Sequence, residues 1–437
     1  MKRKYLIISL FALLFNSLHI LDITAQQPVK SGPYKDIILT RQQRIDVREI
    51  DEIHRENVQA VRSDKSLSRK ERELQLNKIR LKTQESIKSV LDPDQFAQWL
   101  SNRSGGGKVQ GRKELLQTVK NHNKAVLVLR EQMRDPFIQL APDGYYYLSC
   151  TRGLVNFPDQ LPATQSWRSK NLVDWEDLGV IWEAKNGVFG QELIAAAEKR
   201  DITPAIWAPE IHFVNGRWVI VHTTNMRMAN LMLTKGSELK GPYEEPMALD
   251  FGFHRDPALF IDDDETPWLI TNCTEIRKLK KDFSGFDGFH KLLNPQDRYL
   301  GHEGAYIVKF ENKYVLFGTA WSTDNMRRGT YNLYYCTADS VTGPYGPRKF
   351  AGRFLGHGTP FQDKEGRWWC TAFTNADNPP LEPEDAKNKD LSGSAYTINR
   401  QGLTLVPIEI KMVNGDVEVT AKDENHRYPG EEELQKF

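Results

Sequence analysis

Five short stretches set acidic or histidine side chains at turns: Arg134-Asp135-Pro136-Phe137, Trp207-Ala208-Pro209-Glu210, Arg255-Asp256-Pro257-Ala258, Gly301-His302-Glu303-Gly304 and Gly356-His357-Gly358. Asp135, Asp256, Glu303 and His302 are candidate acid and base groups, and Glu210 and His357 are candidate site residues of other kinds. Carboxyl groups from separate parts of a chain can divide acid-base work if the fold brings them together. One protonates a leaving oxygen while the other deprotonates water or attacks directly. Hydrolysis of a glycosidic bond uses such a pair, held about 6.5 to 9.5 Å apart where water must fit between them. Taken singly the motifs are weak, since aspartate before proline often only caps a turn. Their repetition carries the argument.

Each stretch precedes a short aromatic strand: Tyr145-Tyr146-Tyr147, Trp218-Val219-Ile220, Trp268-Leu269-Ile270, Tyr314-Val315-Leu316 and Trp368-Trp369. A repeat of roughly 40 to 50 residues is the signature of propeller blades, in which equivalent positions of all blades face one axis. The spacing predicts a mainly β chain, with a five-bladed β-propeller over residues 125–437. Asp143-Gly144, Asn215-Gly216 and Glu365-Gly366 fit tight hairpin turns. Ala125-Val126-Leu127-Val128-Leu129 is apolar and branched enough for a buried strand that closes the ring. Beyond Asn375 the pattern is less regular, and residues 430–437 form a polar end expected to fray.

Upstream the period changes. Residues 1–25 have a basic start, an apolar stretch and small residues at Thr24-Ala25, which predicts a signal peptide and a periplasmic or secreted protein. Residues 28–103 predict a small α-helical hairpin: Ile50, Ile53, Val58 and Val61, then Leu76, Ile79, Ile87, Val90 and Leu91, recur at helical spacing. Leu67-Ser68-Arg69-Lys70-Glu71 offers a capping box for the second helix, Asp92-Pro93 ends it, and Phe96 and Trp99 can close the apolar side. Residues 104–124 read as linker and lead-in, with the glycine-rich linker beginning at Ser101 and a further helix over residues 113–121. Lys and Arg number 59 against 58 Asp and Glu, a net charge of +1 that draws the chain neither to nucleic acid nor to stable membrane insertion. Cys150, Cys273, Cys336 and Cys370 lie at the ends of aromatic strands and read as buried free thiols without zinc-site spacing.

Arg134-Asp135-Pro136-Phe137-Ile138, Trp207-Ala208-Pro209-Glu210, Asp256-Pro257-Ala258-Leu259, Glu303-Gly304-Ala305 and Gly356-His357-Gly358, in this order, resemble glycoside hydrolase family 43. That resemblance implies a five-bladed propeller of inverting enzymes acting on an oligosaccharide or polysaccharide. It implies Asp135 as general base, Asp256 as the residue that orients the acid and raises its pKa, and Glu303 as general acid. It also implies a structural calcium ion near His357, with no cofactor for catalysis. Asp264-Glu265 departs from the family's aspartate-glycine turn. Gly301-His302-Glu303 with Arg134-Asp135-Pro136 is also similar to glycoside hydrolase family 117, which implies His302 as an alternative acid and a homodimer through the N-terminal helices. Trp207, Glu210 and Trp321 are candidates to line a sugar site. The expected activity is exo removal of L-arabinofuranose, D-xylose or a galactose-type sugar from plant or algal fragments. A propeller that binds glycans or a protein without catalysis is the alternative, and three intact acids argue against it.

Overall fold

The structure is a computed structural model, described here for residues 28–29, 31–67, 69–103, 110–130, 133–152, 162–247, 255–373, 382–392 and 402–437. The expected signal peptide at residues 1–25, the glycines of the linker and Ser68 of the expected capping box lie outside these residues.

Three helices open the described chain. In front of α1 (Arg41–Ser63), Thr40 Oγ1 accepts from the Gln43 amide at 3.1 Å and the Gln43 side chain accepts from the Thr40 amide at 3.0 Å. This reciprocal pair satisfies two amides that a helix start leaves unpaired. Helix α2 (Arg69–Val90) runs to the Asp92-Pro93 stop, and α3 (Pro93–Arg103) is capped in the same way by Asp92 and Gln95 at 2.8 and 3.0 Å. Helix α3 therefore absorbs Ser101 to Arg103, which were expected in the linker. Val47, Ile87, Leu91 and Trp99 form a small core with Ile37 and Leu39. Ile53, expected on that face, is instead 49% exposed. Helix α4 (Arg112–Asn121) leads into the propeller. Among the described residues no helix is long and apolar enough to cross a membrane.

The propeller has five antiparallel sheets. Strand β1 (Val126–Leu129) comes first. Blade one is β2 (Met133–Leu140), β3 (Tyr146–Arg152), β4 (Ala163–Ser169) and β5 (Glu176–Glu183). Helix α5 (Val188–Lys199) follows. Blade two is β6 (Ile206–Val214), β7 (Arg217–Thr224), β8 (Ala229–Thr234) and β9 (Tyr243–Glu244), and blade three is β10 (Ala258–Ile261), β11 (Pro267–Thr271), β12 (Glu275–Lys278) and β13 (Lys291–Leu292). Blade four is β14 (Glu303–Phe310), β15 (Lys313–Trp321), β16 (Tyr331–Ala338) and β17 (Lys349–Gly352). Blade five joins β18 (Pro360–Gln362), β19 (Trp368–Ala372) and, after the short α6 (Pro383–Asn388), β20 (Leu403–Val413). Its fourth strand is β1, with Val126 opposite Leu405 and Leu129 opposite Leu403. The expected ring closure is thus observed. Strand β21 (Asp416–Ala421) extends β20 as a hairpin, and α7 (Glu424–Arg427) follows.

Asn215 and Gly216 both take positive φ, 49° and 80°, the mirror-image turn that matches strand twist. The four cysteines are free and buried. Helix α5 was not expected, although Phe189, Leu193 and Ala197 recur every four residues and are fully buried against blades one and two.

Residues 430–437 do not fray. Glu432, Glu433 and Gln435 are buried. Thr330 donates to Glu432 at 2.7 Å, Tyr334 to Glu433 at 2.5 Å and Arg348 to Gln435 at 2.8 Å, and the Leu434 amide donates to the Ser322 carbonyl at 2.8 Å. The polarity that suggested a solvated end instead pairs with polar groups buried along blade four, which would be costly to leave unpaired.

Candidate active site

The innermost strands begin irregularly. Register shifts fall between Arg134 and Phe137, Trp207 and Glu210, and Glu303 and Tyr306. At the matching point of all five blades one residue is left-handed: Asp135 (φ 51°), Ala208 (44°), Asp256 (44°), Gly304 (61°) and His357 (58°). A bulge re-aims the side chain it carries. Outside glycine this backbone costs on the order of 1–3 kcal/mol, with aspartate and histidine among the residues that tolerate it best. Asp135, Asp256 and His357 are therefore equivalent positions of three blades, and Glu303 stands one residue earlier, in the place of Arg134, Trp207 and Arg255. The four-residue motifs hid this offset because Glu303 precedes its glycine just as the aspartates precede their prolines.

The left-handed residues line one cavity of about 320 Å³, including its open mouth, together with Phe137, Glu210 and Tyr306. His357 Nδ1 lies 3.1 Å from Asp135 Oδ1, and Thr151 Oγ1 donates to Asp135 Oδ2 at 2.7 Å. Thr151 in turn accepts from the Ala208 amide at 2.6 Å, tying blade one to blade two. The His357 amide donates to Thr319 Oγ1 at 2.6 Å, and the Gly304 amide donates to Asp256 Oδ2 at 3.3 Å. A Cβ on Gly304 would come within 2.7 Å of the His357 ring. Glycine is what allows the two blades to meet there.

These contacts push the titrating groups apart. Burial raises the Asp135 carboxyl, but the His357 charge and hydrogen bond, with help from Arg134 and Thr151, outweigh it and hold the group well below the usual carboxylate range. Burial lowers His357, yet Asp135 and Asp256 outweigh it and lift the imidazole to about 10. Asp256 is pushed up to about 6 by burial, opposed by His357 and reinforced by the nearby Glu303 and Asp135. An ionised carboxylate and one that holds its proton to near-neutral pH share a single pocket.

Glu303 is not among the residues that line the cavity, although its neighbours Gly304 and Ala305 are; its side chain is 21% exposed against 10% for Asp135, and its charge helps raise Asp256. The Tyr331 hydroxyl donates to Glu303 Oε1, and Arg255 Nη1 stands 3.9 Å from Oε2. Tyr331 is fully buried, packed on Trp321 and Phe373. Trp207 is 42% exposed, one residue from the cavity-lining Ala208. Trp321 is 1% exposed, and its Nε1 donates to Asp390 at 3.0 Å. Its ring thus backs Tyr331. The His302 ring meets Trp321 edge-on at 5.6 Å and burial lowers its pKa. Glu210 accepts from His212 at 2.8 Å and from the Leu259 amide at 3.1 Å, bridging blades two and three at the cavity wall. Neither Tyr331 nor Arg255 was marked as a site residue from the sequence. Arg255 could have been, since Arg-Asp-Pro occurs twice at equivalent places, but Tyr331 belongs to no motif.

Calcium takes six to eight oxygen ligands. Around His357 the side chains do not assemble such a set: its Nδ1 faces the Asp135 carboxylate, and no three His, Cys, Asp or Glu side chains gather to hold a metal among the described residues.

With this geometry in place, residues 126–402 match the profile of glycosyl hydrolases family 43. The chain belongs to that family and is a glycosidase. One solved structure shares the fold. The family 43 protein BlXynB of Bacillus licheniformis superposes with a TM-score of 0.50 at 19% identity, covering 70% of this chain and 58% of that one. An endo-1,4-beta-xylanase of Bacteroides thetaiotaomicron VPI-5482 gives 0.49 at 18%, covering 68% and 97%. An alpha-L-arabinofuranosidase of Clostridium thermocellum gives 0.45 at 15%, covering 65% and 92%. This chain therefore spans little more than half of the Bacillus protein's length. A comparison with curated protein sequences gave no match.

Proposed function

We propose that the chain is an inverting, exo-acting glycosidase, secreted or periplasmic, that removes one terminal L-arabinofuranose, D-xylose or galactose-type sugar from plant or algal polysaccharide fragments. The observation that carries this reading is the pair of opposed carboxyl environments in one small cavity, Asp135 held ionised and Asp256 held protonated to about pH 6. The ionised member, Asp135, suits base work, and the acid role falls to Glu303, whose charge reaches Asp256 and helps raise its carboxyl. Asp135 accepts a proton from the attacking water, Glu303 gives one to the departing oxygen, and Asp256 orients Glu303 through the shared field.

The preference for Glu303 over His302 as acid rests on placement. Glu303 is part-exposed and close enough to Asp256 for its charge to raise that carboxyl, whereas the His302 ring lies against Trp321. Trp207 offers an exposed face for the apolar side of a sugar ring, Glu210 borders the same space, and Trp321 acts from behind Tyr331. The N-terminal helices, with Ile45 and Ile53 exposed, serve as the homodimer contact in this reading.

The test is a panel of aryl glycosides of the three sugars, with the configuration of the released sugar followed by NMR. Inversion is expected, with Asp135→Asn losing on the order of 10²-fold or more in turnover on every substrate and Glu303→Gln losing as much where the leaving group needs protonation. Retention of configuration, or full activity in Asp135→Asn, would remove the assignment.

A further inference from the structure

We propose that Tyr331 is a positioning residue that decides which oxygen of Glu303 carries the transferable proton. The inference rests on the proposed role of Glu303 as acid. The Tyr331 hydroxyl has no exposure to solvent and donates to Oε1. An oxygen that accepts a phenolic hydrogen bond is the poorer place for the carboxyl proton, so the proton resides on Oε2, the oxygen facing Arg255 at 3.9 Å. In the reaction the Oε2–H bond breaks as an O–H bond forms on the leaving oxygen. The glycosidic C–O pair goes to that same oxygen, and water supplies the new C–O bond while its proton passes to Asp135. The charge left on Glu303 then has a phenol on one oxygen and a guanidinium near the other.

The support behind Tyr331 is extensive. Its ring stands 4.9 Å from Trp321 and 6.3 Å from Phe373, and its carbonyl accepts from the Gly356 amide at 3.0 Å. A Cβ on Gly356 would lie 2.2 Å from the Tyr331 ring, so a glycine is required at that point. The preceding Thr330 is anchored to the buried Glu432 at 2.7 Å. Little freedom remains for the hydroxyl to choose another partner.

Tyr331→Phe keeps the packed ring and removes only the donor. The full chain is assayed with two glycosides of one sugar, a 2,4-dinitrophenyl glycoside that leaves without protonation and a methyl glycoside that needs it. Glu303→Gln serves as the reference, and melting is followed in each variant. The expected result is a loss of about tenfold or more on the methyl glycoside with little loss on the dinitrophenyl one, in the same sense as Glu303→Gln, and an alkaline limb of kcat/KM moved to higher pH. A selective loss in Glu303→Gln without one in Tyr331→Phe overturns the role of Tyr331 alone. Equal loss on both substrates in Glu303→Gln overturns the acid assignment beneath it. Should Tyr331→Phe fail to fold, 3,5-difluorotyrosine at position 331, a stronger donor, moves the alkaline limb to lower pH, and an unmoved limb overturns the proposal.

Discussion

His357 and Asp135 meet across the seam of the ring, with the imidazole of the fifth blade 3.1 Å from the carboxylate of the first. The pair joins the two blades in the wall of the pocket.

Its linkage to pH has a definite sign. The raised His357 contributes stability that is fully present below its ordinary value near 6.5 and is lost as pH climbs through about 10. The depressed Asp135 contributes stability present above the ordinary carboxylate range and lost as pH falls toward its lowered value. Melting temperature against pH is expected to fall at both ends in the wild type. In His357→Gln both slopes flatten and the plateau drops, because Asp135 keeps its burial without its partner.

Asp256 behaves in the opposite way to Asp135 and in the same sense as His357. Its raised value of about 6 means that the folded state favours the protonated form, so its contribution is present at low pH and is lost as pH rises through about 6. Asp256→Asn should therefore melt higher than the wild type above that pH, by about 1–3 kcal/mol, while turnover falls sharply. Equal melting of the two proteins at pH 8 would show that the buried carboxyl carries no such penalty.

Gly304→Ala adds a single methyl group. It combines a φ of 61° with an approach of 2.7 Å to the His357 ring. A loss of about 1–3 kcal/mol in unfolding free energy is expected, with activity reduced further as His357 is pushed from Asp135. Urea titration alongside turnover separates the two effects.

Glu432→Ala removes the acceptor of Thr330 and the partner of Arg353, whose guanidinium lies 3.0 Å away. Breaking a buried pair by one partner costs about 3–5 kcal/mol, so the midpoint in urea should shift well below that of wild type. A frayed end would leave it unchanged.

Much of this architecture is legible in the sequence. The five inner-strand starts share turn chemistry and spacing, so Asp135, Asp256, Glu303 and His357 could be grouped without knowing their contacts, and β1 declared itself by its branched apolar run. Other features depended on what each residue faces. Trp321 and Trp207 are alike as residues, and only packing makes one a buried brace and the other an exposed ring. Tyr331 sits at a strand start with no repeated motif, and Glu432 looks like any solvated glutamate until Thr330 and Arg353 are opposite it. The one-residue offset of Glu303 was hidden because backbone conformation, not composition, aligns the blades.

Because β1 completes the sheet begun by β18, the apolar Val126–Leu129 segment must wait during synthesis until Leu403 has left the ribosome. Through that interval it is an unpaired edge able to join the wrong neighbour, and four whole blades of chain separate it from its correct partner. The circle is thus sealed late, and folding yield should depend more on that final clasp than on any single blade.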